Sequence, residues 1–168
     1  MKINLLKYKT RSFLKNNTAL RTSLPYKQAN NIGIIFTVED KNKHDLVKEF
    51  VRRLELEGKQ VKVMSFLPKN KDNYEFLYDF FTDKDLSFWG TITSESAIRF
   101  ADVPFDFLFY IDTEPNPLVL NILARSKSRC RMGKFFENSE PYFEFMLETK
   151  EGTRGLIDGI HRYASKLR

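Results

Sequence analysis

The stretch 104–136, PFDFLFYIDTEPNPLVLNILARSKSRCRMGKFF, decides the fold. Its apolar run Phe105–Asp112 is strand-sized, and TEPNP has turn chemistry. Asn116 then stands as an N-cap, with Pro117 at the first helical position. There proline's fixed φ suits the helix, and its missing N–H is one that the first turn leaves unpaired anyway. The apolar spacing of LVLNILARSKS carries a helix to about Lys127, and Cys130–Phe136 reads as a second strand. Strand, turn, helix, strand is the βαβ unit of a parallel sheet, with a right-handed crossover expected.

The same grammar recurs upstream. Asn31–Val38, NIGIIFTV, is the kind of β-branched run that parallel sheets bury. After EDKN, Asn42 is the expected N-cap, and Leu46, Val47, Phe50, Val51 and Leu54 recur at helical spacing up to a stop at Gly58. Lys59–Phe66 returns as a strand, closing a first βαβ unit. Between the units, YEFLYDFF suits a strand or a helical turn, with a strand near Leu77–Thr82 taken first, and Ser94 caps a short helix carrying Ala97, Ile98 and Ala101 inward. The aromatics Tyr74, Phe76, Tyr78, Phe80, Phe81, Phe88 and Trp89 read first as core, with base stacking or a partner-binding patch as their other uses. Downstream, ENSEP is too short for a helical crossover, so Tyr142–Glu148 is expected as a strand antiparallel to its predecessor or at an edge. A last helix from about Thr153 places Leu156, Ile160, Tyr163, Ala164 and Leu167 on one stripe. The pattern describes an α/β three-layer, doubly wound (Rossmann-like) sandwich on a mostly parallel sheet of five to six strands.

Charge divides the chain into a domain over 31–168 and a basic arm over 1–30. The whole holds 28 Lys and Arg against 22 Asp and Glu, a net charge of +6. Lys2, Lys7, Lys9, Arg11, Lys15, Arg21 and Lys27 fall in the arm with no acidic residue, leaving 28 − 7 = 21 basic against 22 acidic beyond it. Residues 3–15 form an amphipathic helix, with Ile3, Leu6, Phe13 and Leu14 near one face; residues 16–30 read as a linker or irregular wrap. A helix this short is marginal alone in water, so it docks on its own domain or on a partner. A second basic run, Arg125, Lys127, Arg129, Arg131 and Lys134, follows, with Arg129 and Arg131 on one strand face. One cysteine, Cys130, excludes an intramolecular disulfide and a multi-thiolate zinc site. With no apolar run of membrane-spanning length, a cytoplasmic location is expected.

Open α/β sheets bind ligands beyond the carboxyl ends of their strands, where strand order reverses. The turns expected there carry Glu39, Asp40 and Asn42 after the first strand, and Asp112, Thr113, Glu114 and Asn116 after the fourth. Gathered together, such carboxylates would hold Mg²⁺ or act as acid and base. The competing reading, taken first, has them end strands, cap helices and face water. The turn TVEDKNKHD has no glycine to let backbone N–H groups approach a phosphate, which counts against NAD, FAD or P-loop ATP binding; no cofactor or metal is expected. His44 and His161 stand alone at no metal-ligand spacing. Cys130 reads first as a small core residue; the alternative is a reactive thiol, its pKa lowered by the flanking Arg129 and Arg131.

The segments FDFLFYID (105–112), RCRMG (129–133) and NIGIIF (31–36) resemble a family of small single-domain proteins of unknown activity from Bacteroidetes bacteria. More distantly, the order strand, Asp, helix, Arg-x-Gly is similar to the N-terminal half of heptosyltransferase-like (GT-B) glycosyltransferases. That likeness implies fold alone, since those enzymes hold the sugar nucleotide between two Rossmann-like domains.

Three functional expectations follow. The leading one is a binding protein for a polyanion, RNA or a ribosomal particle, through the arm and the Arg125–Lys134 run. The second lays the arm on an anionic membrane surface, burying Ile3, Leu6, Phe13 and Leu14, or docks it on a protein partner. The third is a small-ligand or metal-dependent enzyme using the carboxylates after the first and fourth strands.

Overall fold

The computed structural model describes residues 1–168. Six strands form one sheet: β1 (Asn31–Thr37), β2 (Gln60–Leu67), β3 (Asp79–Thr82), β4 (Phe107–Tyr110), β5 (Arg131–Lys134) and β6 (Phe145–Leu147), in the order β3-β2-β1-β4-β5-β6. Every pairing is parallel. The five α-helices are α1 (Lys2–Asn16), α2 (Lys41–Leu56), α3 (Glu95–Asp102), α4 (Pro117–Arg125) and α5 (Gly152–Ser165). This is the three-layer, Rossmann-like architecture expected, with its strand order reversing between β1 and β4.

Strand alternation explains the two cores. Ile32, Ile34 and Phe36 of β1, with Phe107 and Phe109 of β4, face Val47, Phe50 and Leu54 of α2 and Leu156 and Ile160 of α5. Ile35, Leu108 and Tyr110 face the opposite layer, built from Leu6 of α1, Ala97, Phe100 and Ala101 of α3, and Val119 and Ile122 of α4. Gly33 points into this second layer, where a Cβ would lie 2.7 Å from the Phe105 ring. The glycine is what lets that ring lie on the sheet.

The arm is not an arm. Leu6 has no exposed surface and Thr10 is buried, so α1 is a full member of its layer, packed along α4. Thr10 Oγ1 accepts from Asn121 Nδ2 at 2.9 Å, and Asn17 Nδ2 donates at 3.0 Å to the carbonyls of both Ala124 and Ser126. Those contacts in register make α1 and α4 run the same way. Residues 17–30 then pass beneath the amino ends of the strands to the other layer. Thr22 N donates to Arg129 O at 3.0 Å and Tyr26 N to Leu167 O at 3.0 Å. The buried Lys59 ammonium donates to Tyr26 O at 2.6 Å and Ala29 O at 2.7 Å, pinning the wrap just before β1.

Three local expectations are corrected. The N-cap of α2 is Asp40, whose Oδ1 accepts from Lys43 N at 2.8 Å, rather than Asn42. β6 is an edge strand, but parallel to β5. Its crossover, residues 135–144, holds only one short 3₁₀ turn, Glu140–Tyr142, and Gly133 lets it lie close: the Phe143 ring would lie 2.5 Å from a Cβ there. Among the aromatics of 74–89, only Phe81 is fully core; Phe76, Phe80, Phe88 and Trp89 are exposed.

Candidate functional site

The switch point between β1 and β4 is filled by the chain itself. Lys43, in the first turn of α2, is 2% exposed, and its Nζ lies 2.6 Å from Asp112 Oδ1 and 3.3 Å from Glu39 Oε1. Asp112, just past β4, also accepts from Thr37 N at 2.7 Å and from Thr37 Oγ1 at 2.6 Å. Asn116 Nδ2 donates to the same Thr37 hydroxyl at 3.0 Å, while its Oδ1 caps α4 by accepting from Leu118 N. Tyr110 lies beneath; burial first, then the Asp112 charge, raises its phenol well above the ordinary range. Every polar group of the network has a partner, as a buried ion pair requires.

The carboxylates named from sequence therefore do not form a joint site. Asp112 is buried and ion-paired, Asp40 caps α2, and Glu39 reaches in only by its tip. Asn42 and Glu114 are exposed, and Thr113 offers its carbonyl to Lys134 Nζ at 3.3 Å. No three His, Cys, Asp or Glu side chains converge in a way that would hold a metal ion. Beside this network, His44 Nε2 and Asn73 Nδ2 are buried without partners against a cavity of about 10 Å³, room for about one water.

The basic residues divide into engaged and free. Arg131 is 5% exposed: its Nη2 bonds Glu144 Oε1 at 2.8 Å and Pro141 O at 3.1 Å, and its Nη1 bonds Leu123 O at 2.9 Å. Arg21 joins the same carboxylate at 3.4 Å and donates to Ser128 O. Burial, then the nearby Arg131 charge, lowers the Arg21 pKa. The expected surface patch of Arg129 with Arg131 is thus corrected: Glu144, on the segment entering β6, draws Arg131 inside. Arg125 lies over the Phe13 ring at 4.8 Å, and Lys127 pairs with Asp102 at 3.5 Å. Lys9 donates to Thr91 Oγ1, next to Gly90. Gly90 has φ +75, and a Cβ there would lie 2.5 Å from Leu6 N, so the 86–92 loop seats closely on α1. Cys130 faces the interior, where burial pushes its thiol up to about 11, opposite to the lowering that flanking arginines would give.

Of the basic residues named from sequence, Arg129 is half-buried and enters no ion pair, and the exposed cations without one are grouped on α1. Lys2, Lys7, Arg11 and Lys15 are exposed and enter no ion pair, and Lys7, Arg11 and Lys15 recur every four residues as one row. Lys27 is also exposed but sits apart, in the turn Tyr26–Gln28. Lys7 and Arg11 border a cleft of about 480 Å³ at the carboxyl end of the sheet. Pro117 and Leu120 of α4 also line it, and the β5–β6 crossover brings Phe136 and Tyr142 to its wall. The two rings are 6.1 Å apart at 38°, tilted rather than stacked; both rest against Phe143 and are half-buried, and both line the cleft. Burial raises the Tyr142 phenol, and the positive charge of Arg11 partly offsets the rise, which puts helix and ring in electrostatic reach of each other.

Residues 2–167 match the model of DUF6913, a family of unknown function. The chain belongs to that family. A comparison with curated proteins finds no match. In this DUF6913 chain the cleft and the row of cations lie side by side. Sequence reasoning named Lys7 and Arg11 but missed Phe136 and Tyr142, read there as strand residues. Their signal exists only once the crossover is known to fold back over Gly133. No helix of the chain is long and apolar enough to cross a membrane.

Proposed function

We propose that the protein is a binding module for a polyanion, RNA, which it holds along the solvent face of α1. The observation that carries this is the row Lys7, Arg11 and Lys15: free of carboxylate partners, on a helix with no acidic residue, and fixed in place by a buried Leu6. Successive members of the row are about 6 Å apart along the axis. A docked helix offers these charges without first paying the entropy of ordering, unlike a free arm. Lys2 stands about 140° round the helix from Lys7, on the side of Lys9, and is not part of the row. Arg21 and Arg131 leave the interface, since both are spent on Glu144.

The test is the salt dependence of binding to a dye-labelled single-stranded RNA, followed by fluorescence anisotropy. Each phosphate neutralised contributes a log–log slope of about −0.7. Exchanging Lys7, Arg11 and Lys15 together for Gln removes three charges without touching the buried face of α1, and is expected to flatten the slope by about 2. A triple variant with the parent's affinity and slope would overturn the assignment.

A second reading rests on Phe88 and Trp89, which are 60% and 69% exposed on the loop that Gly90 seats against α1. Aromatic rings beside Lys2 and Lys9 suit an anionic lipid surface. This form does not ask α1 to turn its buried Leu6 outward. Co-sedimentation with vesicles containing anionic lipid, lost in Trp89→Ala, is its expected signature; failure of the parent protein to sediment disposes of it.

A further inference from the structure

We infer that the cleft beside α1 takes one unpaired nucleotide of a bound strand, its base against Phe136 and Tyr142 and its phosphate at Lys7 and Arg11. The inference rests on the RNA reading and narrows it. A volume of about 480 Å³ lies within the roughly 300–1,000 Å³ of sites that hold small organic molecules. Its two walls differ in chemistry, as a nucleotide's two ends do. One wall is a helix presenting two unpaired cations; the other is a short crossover presenting two tilted aromatic faces, half-buried and so held in place. Bases stack on such rings whatever their identity, and unpaired bases are the ones free to do so.

The polar groups on the aromatic wall fix the orientation. Glu137 and Asn138 sit at its rim, opposite the cations. A carboxylate there repels phosphate and accepts from a ribose hydroxyl or a base amino group, so the sugar–base end faces the crossover and the phosphate faces α1. Asn138 holds this corner with φ +65, a left-handed conformation that asparagine tolerates better than most residues. The cleft also opens at the end of α1 from which the row Lys7, Arg11, Lys15 departs. A strand with one nucleotide in the cleft thus has its neighbouring phosphates directed along that row.

The experiment compares two ligands of equal length and charge: a dye-labelled oligouridylate and the same sugar–phosphate chain without bases. The parent protein is expected to bind the oligouridylate about ten- to a hundredfold more tightly, the range that stacking of one base supplies. Phe136→Leu with Tyr142→Leu keeps the apolar bulk of the wall while removing both aromatic faces. This pair is expected to bring the two affinities together and to leave binding of the baseless chain, and its salt slope, unchanged. A 4-thiouridine-labelled strand photocrosslinked to the parent protein gives a readout independent of any variant, with adducts expected within residues 136–142. Equal binding of the two ligands by the parent, or adducts confined to the exposed Phe88–Trp89 loop, overturns the inference while leaving the α1 assignment standing. Binding of neither ligand, at any salt, overturns both.

Discussion

Leu6→Ala separates a docked helix from a free arm. The Leu6 side chain is wholly buried in the layer that α1 shares with α3 and α4. Truncation to alanine removes three carbons, worth about 2.4 kcal/mol at about 0.8 kcal/mol per buried methylene. The space left behind raises the cost toward about 5 kcal/mol if the neighbours do not close in. In a domain of this size each kcal/mol lowers the melting temperature by about 2–4 °C, so a fall of about 5–20 °C is expected. The loss is capped by the free energy with which α1 docks: beyond it, residues 1–16 detach while the sheet stays folded. Thermal unfolding followed by circular dichroism measures the first effect, and amide exchange across α1 measures the second. Leu20→Ala is the control, because Leu20 is 66% exposed, and should move stability by no more than about 0.5 kcal/mol. Leu6→Ala with the parent's melting temperature and the parent's exchange across α1 would refute the packing argument. It would also restore the arm that the charge distribution suggests.

Two other outcomes follow from the ion pairs. Asp112→Asn leaves the buried Lys43 ammonium with only the half-exposed Glu39 carboxylate, an expected loss of up to about 3–5 kcal/mol in urea unfolding, whereas replacing both Lys43 and Asp112 by apolar residues of similar volume should cost much less. Glu57 accepts hydrogen bonds from Tyr26 OH and lies 2.7 Å from His161 Nε2; burial alone would raise its pKa, but these partners outweigh burial and hold it below the ordinary 4.5. A depressed carboxylate pKa stabilises the fold above about pH 4.5, and the contribution is lost as pH falls through the lowered value. Glu57→Gln should therefore flatten the acid limb of a stability–pH profile and change its shape little above pH 6.

The parts of the fold legible in the sequence are those set by local chemistry. Asn116 and Pro117 placed the start of α4 correctly because a cap bond and a fixed φ act within a few residues. The β-branched run at 31–37 gave β1 for the same reason. At Asp40 and Asn42 local chemistry was degenerate, since either residue can cap, and the Lys43–Asp112 pair decides between them by drawing the first turn of α2 over the switch point. What the sequence concealed depends on residues distant along the chain. That Arg131 turns inward depends on Glu144 entering β6, and the cleft depends on Phe143 lying over Gly133. The uneven charge of residues 1–30 was plain, but charge does not say whether a helix is held. A single buried leucine and a Thr10–Asn121 hydrogen bond do.

The seating of α1 has a consequence for how the chain is made. Residues 1–16 leave the ribosome well before the groups that hold them, which come from α4 and the segment after it: Asn17 waits for Ala124 and Ser126, more than a hundred positions downstream. At about 5–20 residues per second, the nascent chain carries an undocked basic, amphipathic segment for about 5–20 seconds. Through that interval Leu6 and the cations lie open together, without the layer that later covers the leucine. Docking on α4 then buries the leucine and leaves only the charges outside, so the finished molecule is less adhesive than the one being synthesised.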